Sequence, residues 1–257
     1  RNIFVSGTVN KGGEIYYAYG GLAGQLRDAS IEDSRAMVTV NGISEVGGLV
    51  GRLWAGTILR SSASGDVSAT TEGSGGLVGA GRGSTTISDS YATGNVTGQN
   101  GNGGLIGYFN TDPNSRIINS YATGSVISTK GSAGTGFSGT GGLAASFTGT
   151  ILNSYATGTV TTNGEANLVG GLVGYMAGTV TASYASGSVT TAGAAGSYVG
   201  GLLGQLDPAG APDSAVTDSY ASGAVTVAGN SRNIGALIGI RQLFKNHGFL
   251  CQRNDQR

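Results

Sequence analysis

The chain has 257 residues, of which 14 are Lys or Arg and 14 are Asp or Glu, so its formal net charge is zero. Such a balance leaves no electrostatic footprint for nucleic acid or for an anionic membrane surface, and no apolar run approaches the roughly 18 residues that a membrane span needs. Gly is abundant at 50 residues and Pro rare at 3, which excludes collagen, while 39% hydrophobic residues at recurring positions exclude a disordered Gly/Ser chain.

The chain begins at Arg1, without Met and part-way into a repeat, so it reads as a piece of a longer protein. Residues Ile3 to Val9 look like the end of one copy. A first block, Gly-Gly-Leu-hydrophobic-Gly, then starts at Gly20, Gly47, Gly75, Gly103, Gly141, Gly170, Gly200 and Gly235 in full or near copies. Its leucines are Leu22, Leu49, Leu77, Leu105, Leu143, Leu172, Leu202 and Leu237, separated by 27, 28, 28, 38, 29, 30 and 35 residues. A second block, Ser-Tyr-Ala-(Thr/Ser)-Gly followed by Val after one residue, starts at Ser90, Ser120, Ser154, Ser183 and Ser219. Degenerate copies start at Ser34 and Ser61, where Arg35 and Ser62 stand in the Tyr position. The longer intervals mark loops: residues 127–140, Asp112-Pro113, and residues 206–215 with Pro208 and Pro212. Asn41-Gly42 and Asn163-Gly164 mark tight turns. The tail 241–257 breaks every pattern and reads either as a cap over the open end or as sequence foreign to the repeat.

Side chains two apart share a strand face. Two residues after each first-block Leu stands Gly in seven of eight copies, and four residues after it stand Leu26, Leu53, Gly81, Phe109, Phe147, Met176, Leu206 and finally Arg241. That face is expected inside, with Gln25, Arg52, Tyr108, Ser146, Tyr175 and Gln205 outside. If each Leu points in, its neighbour points out, which gives a line of Ala23, Val50, Val78, Ile106, Ala144, Val173, Leu203 and Ile238 along the surface. Such a line predicts lateral self-association; the alternative is a corner covered by the adjoining turn, which the flanking glycines favour. In the second block, Ile87, Asp89 and Tyr91 fall on one face, so the column Tyr91, Tyr121, Tyr155, Tyr184, Tyr220 is expected buried, beside a buried column Val40, Val67, Val96, Val126, Val160, Val189, Val225.

One repeat supplies about three short strands, none of which buries its apolar face alone. The expected fold is therefore all-β, a parallel β-solenoid (β-helix) over residues 1–240 with about eight coils of roughly 28–30 residues, making a rod of about 40 Å. The first block, with its companion at regular spacing, resembles the GLUG-motif repeats over residues 20–239. The resemblance implies a secreted or cell-surface bacterial protein of the adhesin or haemagglutinin kind, or a part of an immunoglobulin-cleaving metallopeptidase. It carries no catalytic residues to this chain.

The column Asp33, Arg60, Asp89, Asn119, Asn153, Ala182, Asp218 reads as a structural hydrogen-bonded ladder, against an acid–Arg cluster for glycan cleavage. The Tyr column as a sugar-binding track and the Thr residues beside the Val column as an ice-binding array are the weaker readings. His247 is the only His and Cys251 the only Cys, both in the tail, and only 12 charged residues fall between positions 61 and 240. No catalytic, cofactor-binding or metal-binding residue is therefore assigned, and no cofactor is expected. The expected function is an adhesin-like binding module, secreted or at the cell surface, whose partner is a glycan or protein of a host or neighbouring cell. The alternatives are a passive stalk beside a catalytic domain, an ice-binding solenoid and a glycan-cleaving β-helix enzyme.

Overall fold

A computed structural model describes residues 1–12, 17–109, 112–130, 139–164, 168–192, 197–208, 211, 213–228 and 233–241. The described residues form an all-β parallel β-solenoid of short strands, in which each strand pairs in parallel with its equivalent one coil away. Three sheets of 14, 8 and 13 strands run along the rod. The first carries the Tyr and Val columns, the second the residues that lead into each Gly-Gly-Leu, and the third the residues after it together with the Ile column. The described residues make about six turns, slightly fewer than the eight coils expected. Register follows the sequence repeat. Val9 pairs with Val40, Val40 with Val67, and Arg35 with Ser62, which pairs in turn with Tyr91. Residues Phe4–Asn10 thus do stack as the end of a copy.

The two blocks recur together because they pack on one another. A Cβ placed on the second Gly of the first block would meet the Ala of the second block: Gly48 meets Ala63, Gly76 meets Ala92, Gly104 meets Ala122 and Gly142 meets Ala156, each at 2.8 Å. It would also strike the carbonyl of the next coil's Gly, 2.2 Å away at Gly76 and at Gly142. The first Gly has its own constraint, since a Cβ on Gly75 would lie 2.0 Å from the Val78 carbonyl and 2.5 Å from the Gly107 nitrogen. Only bare backbone lets the second and third sheets approach so closely at this corner. The corner still keeps its hydrogen bonds. Leu77 N–H donates to the Leu105 carbonyl at 2.8 Å, and Val78 N–H donates to the same oxygen at 3.0 Å.

The core runs down the middle of the rod. Leu49, Leu77, Leu105, Leu143, Leu172 and Leu202 are fully buried, with the Val column from Val40 to Val189 and the column Ile58, Ile87, Ile117, Ile151, Val180. Leu53, Phe147, Met176 and Leu206 are buried as expected, and Arg241 is exposed at the end of the last strand, Ile238–Arg241.

Three expectations about facing are overturned. The supposed outward line is internal: Val50, Val78, Ile106, Ala144, Val173 and Leu203 are each 0% exposed and join the same core as the leucines. Gly-Leu forms the bend between two sheets, so strand alternation does not pass through it, and both the Leu and its neighbour turn inward. The basis for a lateral contact is thereby removed. On the face expected outside, Gln25 is exposed, whereas Ser146, Tyr175 and Gln205 are buried. Leu168, Tyr175 and Ala177, with Tyr198 against them, make a small second cluster there. The Tyr column faces outward and is partly exposed, while the Ala that follows each Tyr is buried.

The loops are also shorter than expected. Ile127 and Ser128 belong to the strand Val126–Ser128, Gly139–Gly141 is a strand, and Leu206 and Ala215 lie in strands on either side of the Pro208 loop. Asn41-Gly42 ends the strand Arg35–Gly42, and the bend follows at Ile43; Asn163-Gly164 lies outside strand structure, with a bend at Gly164. Residues 131–138, Pro212 and the tail 242–257, with His247 and Cys251, lie outside the described residues.

Val173→Lys buries an unpaired charge in a fully closed site, so a loss of stability of several kcal/mol is expected. Thermal or denaturant unfolding measures it, while sedimentation should show no change in mass. A smaller species with an unchanged melting temperature would restore the outward line.

Candidate functional site

The most regular outward surface is built around the second block. Its geometry starts from one backbone feature: Asp33, Arg60, Asp89, Asn119, Asn153, Ala182 and Asp218 all have φ between 46° and 53°. Among non-glycine residues this left-handed conformation is reached most readily by Asn and Asp, whose short polar side chains bond locally. The predicted polar column is therefore a corner column, and its composition follows from backbone need. The turn also resets the strand phase. Ile87 before it points in, Asp89 and Tyr91 point out, and Ser90 and Ala92 point in.

The expected ladder exists, but on the surface. Asn119 Nδ2 donates to Asp89 Oδ1 at 3.0 Å, and Asn153 Nδ2 donates to Asn119 Oδ1 at 3.3 Å. Arg60 grips Asp33 through two bonds of 2.6 and 2.9 Å. Ala182 has no polar side-chain atom with which to continue the ladder. The Arg60 hydrogen bonds hold the Asp33 carboxyl below its ordinary value, and bonds from Ser88 and Asn119 do the same for Asp89. These residues are arranged coil on coil, as structural partners.

The buried ladder is one that sequence reasoning missed. Each second-block Ser accepts the backbone N–H of the Ser one coil before it: Ser90 N–H donates to Ser120 Oγ at 3.2 Å, Ser120 N–H to Ser154 Oγ at 3.1 Å, and Ser154 N–H to Ser183 Oγ at 3.1 Å. The Ser hydroxyl donates in turn to the carbonyl two residues earlier, as Ser120 Oγ does to Ile118 O at 2.7 Å. The signal was present, since Ser is invariant across the seven copies from Ser34 to Ser219.

The tyrosines stack face to face. Ring centroids are 4.9 Å apart for Tyr91–Tyr121, 4.8 Å for Tyr121–Tyr155, 4.9 Å for Tyr155–Tyr184 and 5.1 Å for Tyr184–Tyr220, with planes within 5° of parallel. Interior ring faces are covered by their neighbours, so the surface offers ring edges and hydroxyls. That arrangement disfavours a track on which sugars stack against open ring faces. Burial, then the adjacent ring, raises the pKa of Tyr121 and Tyr155, so their hydroxyls stay protonated at neutral pH. Exposed Thr93, Thr123, Thr157, Ser186 and Ser222 run beside the rings. Farther round, the outward residues beside the Val column include Thr97, Thr161, Thr190 and Thr226, interrupted by Ser68 and Ile127.

A second polar cluster lies on the early coils. Glu45, itself at φ 49°, is buried; it pairs with Arg52 and lies 3.5 Å from Arg82. Arg27 sits 4.3 Å from the Trp54 ring centroid. Among the described residues no group of three or more His, Cys, Asp or Glu is placed to hold a metal ion, and no helix is long and apolar enough to cross a membrane.

Ser120→Ala leaves the buried Ser90 N–H without its acceptor and is expected to cost about 1–3 kcal/mol. Asn119→Ala should cost about 1–2 kcal/mol through left-handed strain, whereas Asn119→Gly relieves that strain and costs less. Chemical denaturation of the three variants checks the order. For Asp33 and Asp89 the folded pKa lies below the unfolded value. Their stabilisation is therefore present above the ordinary carboxylate range and is lost as pH falls through the folded pKa. Melting temperature should drop on acidification below that range, and less steeply in Asp89→Asn.

The GLUG motif matches residues 42–68 and 165–190, each of which spans the corner and strands described above. Comparison with curated proteins and with solved structures gives no match. Two repeats of the chain thus carry the GLUG motif, both in register with the other coils, which supports a GLUG-motif repeat protein.

Proposed function

We propose that this repeat scaffold is an adhesin-like binding module, secreted or at the cell surface, whose ligand is a glycan or protein of a host or neighbouring cell. The observation that supports the reading is the outward ladder face: Tyr rings recur from coil to coil at 4.8–5.1 Å, with an exposed Thr or Ser beside each and the Asn119 and Asn153 amides next to them. A rigid surface of this kind costs little further ordering when a long partner lies along it, and multiple weak contacts then act together. Hydrogen-bonding groups dominate the face, which suits a polar partner read by direction more than by apolar burial.

The test is a glycan and matrix-protein binding screen with the wild type and with Thr123→Lys/Thr157→Lys, exposed positions beside the Tyr ladder. A ligand that binds the wild type and is lost by the variant, with an unchanged melting temperature, is the expected result. A ligand that binds both equally would remove the ladder face from the reading. Binding to neither would favour the passive stalk, which needs only the self-satisfied stacking of the coils.

A further inference from the structure

The geometry of the Tyr ladder points to a covalent role that goes beyond ligand binding: we propose that it is an oxidative cross-linking site, where stacked tyrosines of neighbouring coils join through a carbon–carbon bond between their ring ortho positions. Tyr91, Tyr121, Tyr155, Tyr184 and Tyr220 form four consecutive contacts with parallel planes and centroids 4.8–5.1 Å apart. Rings related by this stacking hold equivalent ortho carbons at about the same separation. The first four rings are partly exposed and Tyr220 is 54% exposed, so an external oxidant reaches the ring edges, and a ring has room to tilt toward its partner.

The oxidant is hydrogen peroxide acting through a haem peroxidase. Each of two phenols gives up one electron and its hydroxyl proton, which leaves two phenoxyl radicals. The radicals couple through one new bond between ortho carbons, and each ortho hydrogen moves to its own oxygen to restore the phenol. The peroxide takes the two electrons and two protons and becomes two waters. Position decides the partner. A radical in the ladder has another ring in contact, and such fixed proximity outweighs encounter with a second molecule in dilute solution. The links would span 30, 34, 29 and 36 residues (91 to 121, 121 to 155, 155 to 184, 184 to 220) and so staple successive coils. The single Cys of the chain cannot do this by an internal disulfide. Tyr19, Tyr108, Tyr175 and Tyr198 lie outside the ladder and are in none of its ring stacks.

The test treats the full chain, folded and dilute, with a haem peroxidase and hydrogen peroxide, isolates the monomer, and maps linked peptides by mass. The expected result is dityrosine fluorescence in the monomer, with a yield per molecule independent of protein concentration. Each link should lose two hydrogen atoms, with Tyr121–Tyr155 among the linked pairs. Tyr121→Phe/Tyr155→Phe keeps the ring stack and should lose that link while Tyr184–Tyr220 still couples. Circular dichroism confirms that the variant is folded. Linked peptides confined to dimers, links that involve Tyr108, Tyr175 or Tyr198 as often as the ladder, or no dityrosine would each overturn the proposal.

Discussion

Everything in this rod depends on the close approach permitted by the second Gly of the first block. With hydrogen in place of a side chain, the backbone of Gly76, Gly104 or Gly142 lies against the Ala of the second block and against the next coil's carbonyl at once. That contact brings the two halves of each turn together and fixes the coil diameter. It also makes the repeat two-part. The Gly-Gly-Leu corner has its counterpart in Ser-Tyr-Ala, since the Ala methyl occupies the space that a Cβ on the second Gly would enter. Change in either block disturbs the other, 14 to 16 residues away between Gly76 and Ala92 or Ala156 and Gly142.

Once the diameter is set, hydrogen bonding along the rod does the rest. Strands, corner leucines and the buried Ser column all donate to or accept from the neighbouring coil. A parallel stack satisfies its backbone only through such neighbours, which is why isolated repeats are unstable and arrays are cooperative. The same stacking places like on like at the surface. For Tyr this is favourable, since planar rings pack at the coil spacing. For Asp it is unfavourable, and the column separates acids with Arg60 or follows them with Asn119.

The outward face is thus a by-product of the core. Its spacing belongs to the strands, its polarity to the left-handed corner, and its aromatic ladder to the residue between inward Ser and inward Ala. The proposed adhesin-like role and the proposed oxidative staple would both draw on this one property, that the rod repeats a small set of outward groups without change of orientation.

The architecture was legible in the sequence because period and composition report on stacking directly. Recurrence of Leu22 to Leu237 at steps of 27 to 38 residues sets the coil, and Val40 to Val189 sets a buried column. Both survive in the structure because a fully buried strand position tolerates little except an apolar side chain of suitable size. The facing of the corner residues was not legible. Alternation assigns sides only along an unbroken strand, and it failed at Leu49-Val50, where the chain bends, and at Asp89, where a φ of 51° shifts the phase by one. Val78 and Tyr91 were therefore read on the wrong sides. The ladder of Asn119 and Asn153 was found by its chemistry, but its exposure was decided by that same turn. Sequence by itself determined which residues stack on which, since register is a matter of period. Only the tertiary structure decided which way each column points, since that depends on backbone angles at the corners and on how closely glycine lets the walls approach.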